Sequence, residues 1–239
     1  MIESYDNRRD IVVPGQKDIT ITYCVEHFVK LANNSIADHG AFYVALAGGS
    51  SPENIFKLLA DAPYIKQVDW SKVWLFWSDE RCVPPDDPAS NYKMAMDSGL
   101  AKLPIPRHQV IRMKGELDPH ESAKEYQDKI EGVPFDMIML GMGDDGHTAS
   151  LFPDTEALNE TKALVVANYV PQKDSWRLTM TFPCINQGQH IVFYIFGEKK
   201  QVALKNVLSS KSTLPASRIG TTTHKALFIC DEDAAVMVV

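Results

Sequence analysis

Short, almost wholly apolar runs set the frame of this chain: Phe42–Ala47, Val73–Trp77, Phe135–Leu140, Ile191–Phe196 and Ala226–Cys230. They are too short for helices, and they do not alternate apolar with polar residues. Each therefore reads as a strand buried on both faces, as in a parallel sheet. The segments between them carry helical spacing. From about 20 to 38, Cys24, Phe28, Leu31, Ala32 and Ser35 line one face, and Gly40 is placed to close the helix in a left-handed cap. Ile55, Phe56, Leu58 and Leu59 repeat in the same way, with Ser51 as N-cap and Pro52 at the first helical position. Further helices are expected over 92–101, from Asp118-Pro119-His120-Glu121 onward with Ala123, Tyr126 and Ile130 inward, and after Lys200 with Ala203, Leu204, Val207 and Leu208 on one face. Strands that alternate with helices, without a repeat or a flexible linker, imply one α/β domain over 1–239 with a mainly parallel sheet.

Other segments extend this frame. Residues 10–13 and Val110–Met113 read as short strands. Ala163–Val170 and Arg177–Phe182 read as a pair joined by a turn, hence antiparallel. His27, His39, His108 and His120 sit among polar neighbours and are expected at the surface.

Open α/β sheets bind ligands at the carboxyl ends of their strands, and several strand ends here carry chemistry. After Phe42–Ala47 comes Gly48-Gly49-Ser50-Ser51-Pro52. A strand, a Gly-rich turn and a helix start direct free backbone N–H groups at an anion, although the pattern is neither a Walker loop nor GxGxxG. After Val73–Trp77 comes Ser78-Asp79-Glu80-Arg81-Cys82. Its charges form either an internal ion pair or an Arg-based anion site. Cys82 has no histidine beside it to make it a nucleophile. After Phe135–Leu140, three glycines surround Asp145 and His147 in Gly141–Gly146 and the residues that follow. An imidazole with a carboxylate beside it suits general-base chemistry near neutral pH. After Ile191–Phe196, Lys199 or Lys200 lies at a helix start, where a cation opposes the helix dipole unless an anion joins it. Arg177 opens a strand and is either an edge charge or a further anion contact.

Other chemistries lack their residues. The sequence has no GxSxG elbow, no HExxH and no cysteine–histidine cluster, so neither a serine-esterase mechanism nor a metal or other cofactor is indicated. The four cysteines form no CxxC pair, which points to a reducing compartment. The first residues have no basic start and apolar run of a signal peptide, and no apolar stretch approaches the roughly 20 residues of a membrane span. A net charge of −7 argues against nucleic acid but not against a small anion. The expectation is a cytoplasmic protein, a monomer or weak homo-oligomer, acting on a small phosphorylated molecule.

Taken together, Ala45-Leu46-Ala47-Gly48-Gly49-Ser50-Ser51-Pro52, Ser78-Asp79-Glu80-Arg81-Cys82-Val83-Pro84 and Gly141 through Pro153 resemble the glucosamine-6-phosphate isomerase/6-phosphogluconolactonase family over nearly the whole chain. The resemblance is to the lactonase branch. The residues after His147 read Thr148-Ala149-Ser150-Leu151-Phe152-Pro153, where deaminases carry Asn-Glu-Pro, and Arg81 stands where deaminases have Tyr. Ser51, where the family often has Thr, is a small departure that keeps the hydroxyl. The resemblance implies a Rossmann-like fold of the deaminase/ribose-5-phosphate isomerase group, with helices on both faces of the sheet. It implies hydrolysis of 6-phospho-D-glucono-1,5-lactone to 6-phosphogluconate. His147 would be the general base and Asp145 its support. Gly48, Gly49, Ser50, Asp79, Arg81, Arg177 and Lys200 would form the substrate site, with Gly49, Ser50, Arg81, Arg177 and Lys200 on the 6-phosphate. Two alternatives stay open: an isomerase or deaminase with Asp79 as its base, and a non-catalytic sugar-phosphate sensor.

Overall fold

The computed structural model describes residues 1–238. In chain order the strands are β1 (Glu3–Ser4), β2 (Arg9–Val12), β3 (Phe42–Leu46), β4 (Val73–Trp77), β5 (Asp79–Arg81), β6 (Met137–Leu140), β7 (Val165–Val170), β8 (Ser175–Met180), β9 (His190–Ile195) and β10 (Ala226–Cys230). The helices are α1 (Lys17–His39), α2 (Ser50–Leu59), α3 (Asn91–Asp97), α4 (Pro119–Ile130), α5 (Phe182–Ile185), α6 (Gln201–Leu208) and α7 (Glu232–Ala235). Every residue of β6 is buried, which is why that run carries no polar face. Each fully buried Ile, Leu or Met there contributes about 1.5–3 kcal/mol.

The main sheet has the order β1-β2-β10-β9-β6-β3-β4, parallel throughout except for β1, which runs antiparallel to β2. Helices cover both faces. Phe28 of α1 and Phe56 of α2 pack with Trp77 on one side, while Tyr126 of α4 and Leu204 of α6 pack with Phe193 and Phe228 on the other. The chain leaves β3 toward β4 and later returns to the opposite side of β3 as β6. Between β3 and β6 the strand order therefore reverses, and a crevice opens at their carboxyl ends. A Cβ added to Gly141, after β6, would lie 3.9 Å from the carbonyl of Gly48, after β3.

A second, antiparallel sheet, β5-β8-β7, stands beside the first. The β7–β8 pair follows the expected antiparallel arrangement. The third strand, Asp79-Glu80-Arg81, is not marked by any local pattern, because its partner is β8, far along the chain. Val110–Met113 is not a strand. Only Val110 bridges Leu75, and Ile111 donates to the Leu75 carbonyl at 2.8 Å.

The helix starts are partly as read. Asp118 caps α4 by accepting from the N–H groups of His120 and Glu121, and Ser90 caps α3 by accepting from Lys93. The expected extension of α3 to 101 stops at Asp97, where a turn of 3-10 helix, Leu100–Lys102, takes over. Ser51 is not the cap of α2. Gly49, at φ +95°, starts the helix, so Ser51 falls in the first turn and its hydroxyl caps nothing. Gly40 ends α1 in the left-handed conformation as expected. His39, His108 and His120 are exposed, with His39 Nε2 2.8 Å from Asp136. His27 is not a surface group. It lies half-buried, its Nδ1 has no hydrogen-bond partner, and burial, with the charges of His190 and Lys30, lowers its pKa to about 4. No helix among the described residues is long and apolar enough to cross a membrane.

Candidate active site

The crevice between β3 and β6 is a cleft of about 250 Å³. Gly48, Gly49 and Ser50 form one wall, Gly143 and His147 the other, and Asp79, Arg81 and Lys200 also line it. The geometry brings together all the sequence-derived candidates that line it: Gly48, Gly49, Ser50, Asp79, Arg81, His147 and Lys200. Arg177 and Asp145 are not part of this lining.

His147 is held from several sides. Gly143 donates its N–H to the His147 carbonyl at 2.9 Å, and Gly146 donates to Gly143 at 3.0 Å, which curls the loop back on itself. Asp145 Oδ1 lies 2.6 Å from His147 Nδ1 and accepts the His147 backbone N–H at 3.1 Å. An ionised carboxylate only accepts, so Nδ1 carries the hydrogen and Nε2 presents its lone pair. Among the described residues Nε2 has no hydrogen-bond partner. Phe152 stacks on the imidazole at 3.8 Å between centroids, which fixes the ring plane. Gly143 is required here, because a Cβ at that position would lie 2.1 Å from His147 Nδ1. Burial disfavours the charged form of Asp145. The His147 N–H, charge and Nδ1 outweigh that and hold the carboxyl below its usual range.

The opposite wall offers hydrogen-bond donors. The N–H groups of Gly49, Ser50 and Ser51 find no acceptor among the described residues, and they open α2 with its positive dipole end. Gly49 leaves open space where a side chain would stand. Asn91 fills the space beside Gly48, so closely that a Cβ there would meet its Oδ1 at 1.9 Å.

Each side chain of β5 has a different use. Glu80 is buried and accepts from Ser90 Oγ and from the N–H groups of Arg81, Asn91 and Tyr92. Burial raises its pKa and those donors oppose the rise. Asp79, 7% exposed, has both carboxylate oxygens occupied: Ser150 Oγ donates to Oδ2 at 2.7 Å and Asn91 Nδ2 to Oδ1 at 3.1 Å. Neither acid side chain pairs with the Arg81 guanidinium, so of the two readings of this stretch the internal ion pair is absent among the described residues and the Arg-based anion site remains. Arg81 donates to the Ala89 carbonyl and otherwise faces the cleft.

Arg177 lies directly opposite Arg81 across the antiparallel β5–β8 pair. Two cations in register repel unless an anion lies between or beside them. Arg177 Nε is buried without a partner, and burial, then the Arg81 charge, lowers its pKa. It backs Arg81 rather than lining the cleft. Cys82, next to this pair, is a thiol rather than a thiolate: burial pushes its pKa to about 11, and Glu80 adds to the rise.

Lys200 approaches from the turn after β9. Asp231 accepts the Gly197 N–H with both carboxylate oxygens, at 2.9 and 3.0 Å, and so fixes that turn. Lys200 Nζ rests 2.7 Å from Asp144, whose side chain is 70% exposed. Such a pair is weak, and an anion in the cleft can take its lysine at small cost. Lys199 is exposed and lines no part of the cleft. No local signal in the sequence marks Asn91, Ser150 and Glu80 as site residues, because only contacts between distant segments reveal their work.

Comparisons with known proteins bear on the family and the fold. The profile of the family glucosamine-6-phosphate isomerases/6-phosphogluconolactonase matches residues 15–229. A 6-phosphogluconolactonase of Chlamydia pneumoniae is 42% identical over 225 residues, which is 91% of this chain and 86% of that protein. One from Chlamydia trachomatis serovar D is 37% identical over 238 residues, 98% of this chain and 92% of the other. Among solved structures, a 6-phosphogluconolactonase from Trypanosoma cruzi superposes with a TM-score of 0.85 at 25% identity, covering 100% of this chain and 99% of that one. The chain therefore belongs to the glucosamine-6-phosphate isomerase/6-phosphogluconolactonase family.

Proposed function

We propose that this chain is a hydrolase that opens 6-phospho-D-glucono-1,5-lactone to 6-phosphogluconate, in the oxidative pentose phosphate pathway. The observation that carries the reading is His147: its Nδ1 is tied to Asp145, and its unpartnered Nε2 lies in a cleft walled by free N–H donors and cations. Relatives named 6-phosphogluconolactonase along nearly the whole chain support it.

In this mechanism Nε2 takes a proton from water as the water oxygen bonds to the lactone carbonyl carbon. The tetrahedral oxyanion collapses, the bond from that carbon to the ring oxygen breaks, and the imidazolium returns the proton to the departing oxygen. The carboxylic acid formed then ionises in water. Asp145 stabilises the imidazolium between the two transfers. The N–H groups of Gly49 and Ser50, with Arg81 and Lys200, hold the 6-phosphate, and Arg177 adds its charge from behind.

An isomerase or deaminase would need Asp79 as a base, and both oxygens of that carboxylate are occupied. Release of ammonia from glucosamine 6-phosphate would favour that reading over hydrolysis. We take the chain as one lactonase domain, supported by a core that both sheets share, and as cytoplasmic, supported by four free cysteines. Lactone turnover by the purified chain above the spontaneous rate tests the function, and a monomer or weak homo-oligomer is expected in sedimentation.

A further inference from the structure

We propose, resting on the lactone hydrolysis above, that Asp79 is a positioning residue that sets the distance between the phosphate turn and the His147 imidazole. It sits just beyond the ends of β3 and β4, where Ser78 ties the two strands by donating its N–H to the Leu46 carbonyl at 2.8 Å. From there it reaches both walls of the cleft. One oxygen accepts from Ser150 Oγ at 2.7 Å, and Ser150 lies three residues after His147 on the same loop. The other accepts from Asn91 Nδ2 at 3.1 Å, and the same amide donates to the Asp79 carbonyl at 2.9 Å. The Asn91 side chain then packs into the space beside Gly48, the residue before the anion-facing N–H groups.

Both arms are rigid. Ser150 has no spare group: its N–H donates to Thr179 Oγ at 3.1 Å, and its carbonyl accepts from Asn168 Nδ2 at 2.9 Å. Asn91 is fixed by its backbone N–H on Glu80 at 2.7 Å. Ser150 and Asn91 are each 2% exposed, so water does not compete for these bonds. Asp79 thus acts on the chemistry through Ser150 and on binding through Asn91. The substrate carbonyl must meet the imidazole while its phosphate stays in the turn, and the strut fixes that span.

The two arms make separable expectations. Ser150→Ala should lower kcat roughly 10- to 100-fold, since about 1 Å of misplacement costs up to about 10²-fold. Its KM and its affinity for 6-phosphogluconate should stay within about twofold of wild type, because the phosphate turn is untouched. Asn91→Ala should do the reverse and weaken 6-phosphogluconate binding. Two controls exclude general damage. Calorimetric stoichiometry for 6-phosphogluconate counts intact sites, and Ser122→Ala removes a buried, unpartnered hydroxyl on α4. By NMR, the His147 ring resonances should move in Ser150→Ala and stay in place in Ser122→Ala. Wild-type turnover of the lactone tests the function itself, and the binding and NMR arms stand without it. The strut is refuted if Ser150→Ala, at full stoichiometry, keeps kcat within about twofold of wild type, or if both variants lose kcat and affinity in the same proportion.

Discussion

Replacing Arg81 with alanine removes one of the two cations that line the cleft, the other being Lys200, and leaves Arg177 without its cross-strand neighbour. Arg81 spends one N–H on the Ala89 carbonyl, and the rest of its guanidinium is free for a phosphate oxygen. A charge-assisted contact of this kind contributes about 1.5–3 kcal/mol. Loss of Arg81 should therefore weaken 6-phosphogluconate binding roughly 10- to 150-fold, at about 1.4 kcal/mol per decade. Removing Arg81 also relieves the repulsion on Arg177, so that group's lowered pKa should rise toward its ordinary value. Arg177→Ala should cost less, because Arg177 does not line the cleft. The assay is kcat/KM for the phosphorylated lactone and for its unphosphorylated counterpart, in wild type and Arg81→Ala. The phosphorylated substrate should lose most of its advantage, while the unphosphorylated one, with no dianion to bind, should change little. Binding energy from the remote phosphate also positions the carbonyl, so kcat on the true substrate should fall too. Equal losses on both substrates would mean that Arg81 acts at the carbonyl or only holds its loop, and the phosphate site would have to be redrawn without it.

Three other perturbations address the imidazole. His147→Ala should fold, bind 6-phosphogluconate and lose about 10²-fold or more in kcat; retention of about a third of the wild-type rate would remove His147 from the base role. Gly143→Ala places a methyl 2.1 Å from His147 Nδ1 and 2.6 Å from Asp145 Oδ1, so kcat should fall with little change in global melting, and a fully active Gly143→Ala would contradict the packing described. Asp145 has a folded-state pKa below its unfolded value, so its contribution to stability is complete above the usual carboxylate pKa of about 3.9 and is lost as pH falls through the lowered value. Asp145→Asn should flatten that part of the melting profile, whereas a wild-type-to-variant difference constant down to strongly acid pH would show that the pair adds no such dependence.

The parallel sheet is legible in the sequence because β3, β4, β6, β9 and β10 are largely buried on both faces and, apart from His190 at the start of β9, are apolar or aromatic throughout. The anion turn and the His147 loop were legible because glycines, serines and an Asp–His pair at strand ends have few other uses. β5 was not. Asp79-Glu80-Arg81 is polar, and its strand character comes from pairing with β8, which no local pattern records. The start of α2 was misplaced because a positive-φ glycine took the position that a capping serine would have held. The polar neighbours of His27 predict exposure, yet its Nδ1 is buried, with His190 from a distant segment close by. The work of Asn91 and Ser150 is invisible for the same reason: an asparagine opening a helix and a serine in a turn are ordinary until Asp79 is found between them.

The most direct measurement is the rate at which freshly prepared 6-phospho-D-glucono-1,5-lactone becomes 6-phosphogluconate, corrected for spontaneous opening, with wild type and His147→Ala side by side. Wild type should reach a kcat/KM of at least about 10⁴ M⁻¹s⁻¹, in the ordinary enzymatic range, and His147→Ala should fall toward the uncatalysed rate. Opening by wild type no faster than in buffer alone, or equally fast with and without His147, would contradict the account.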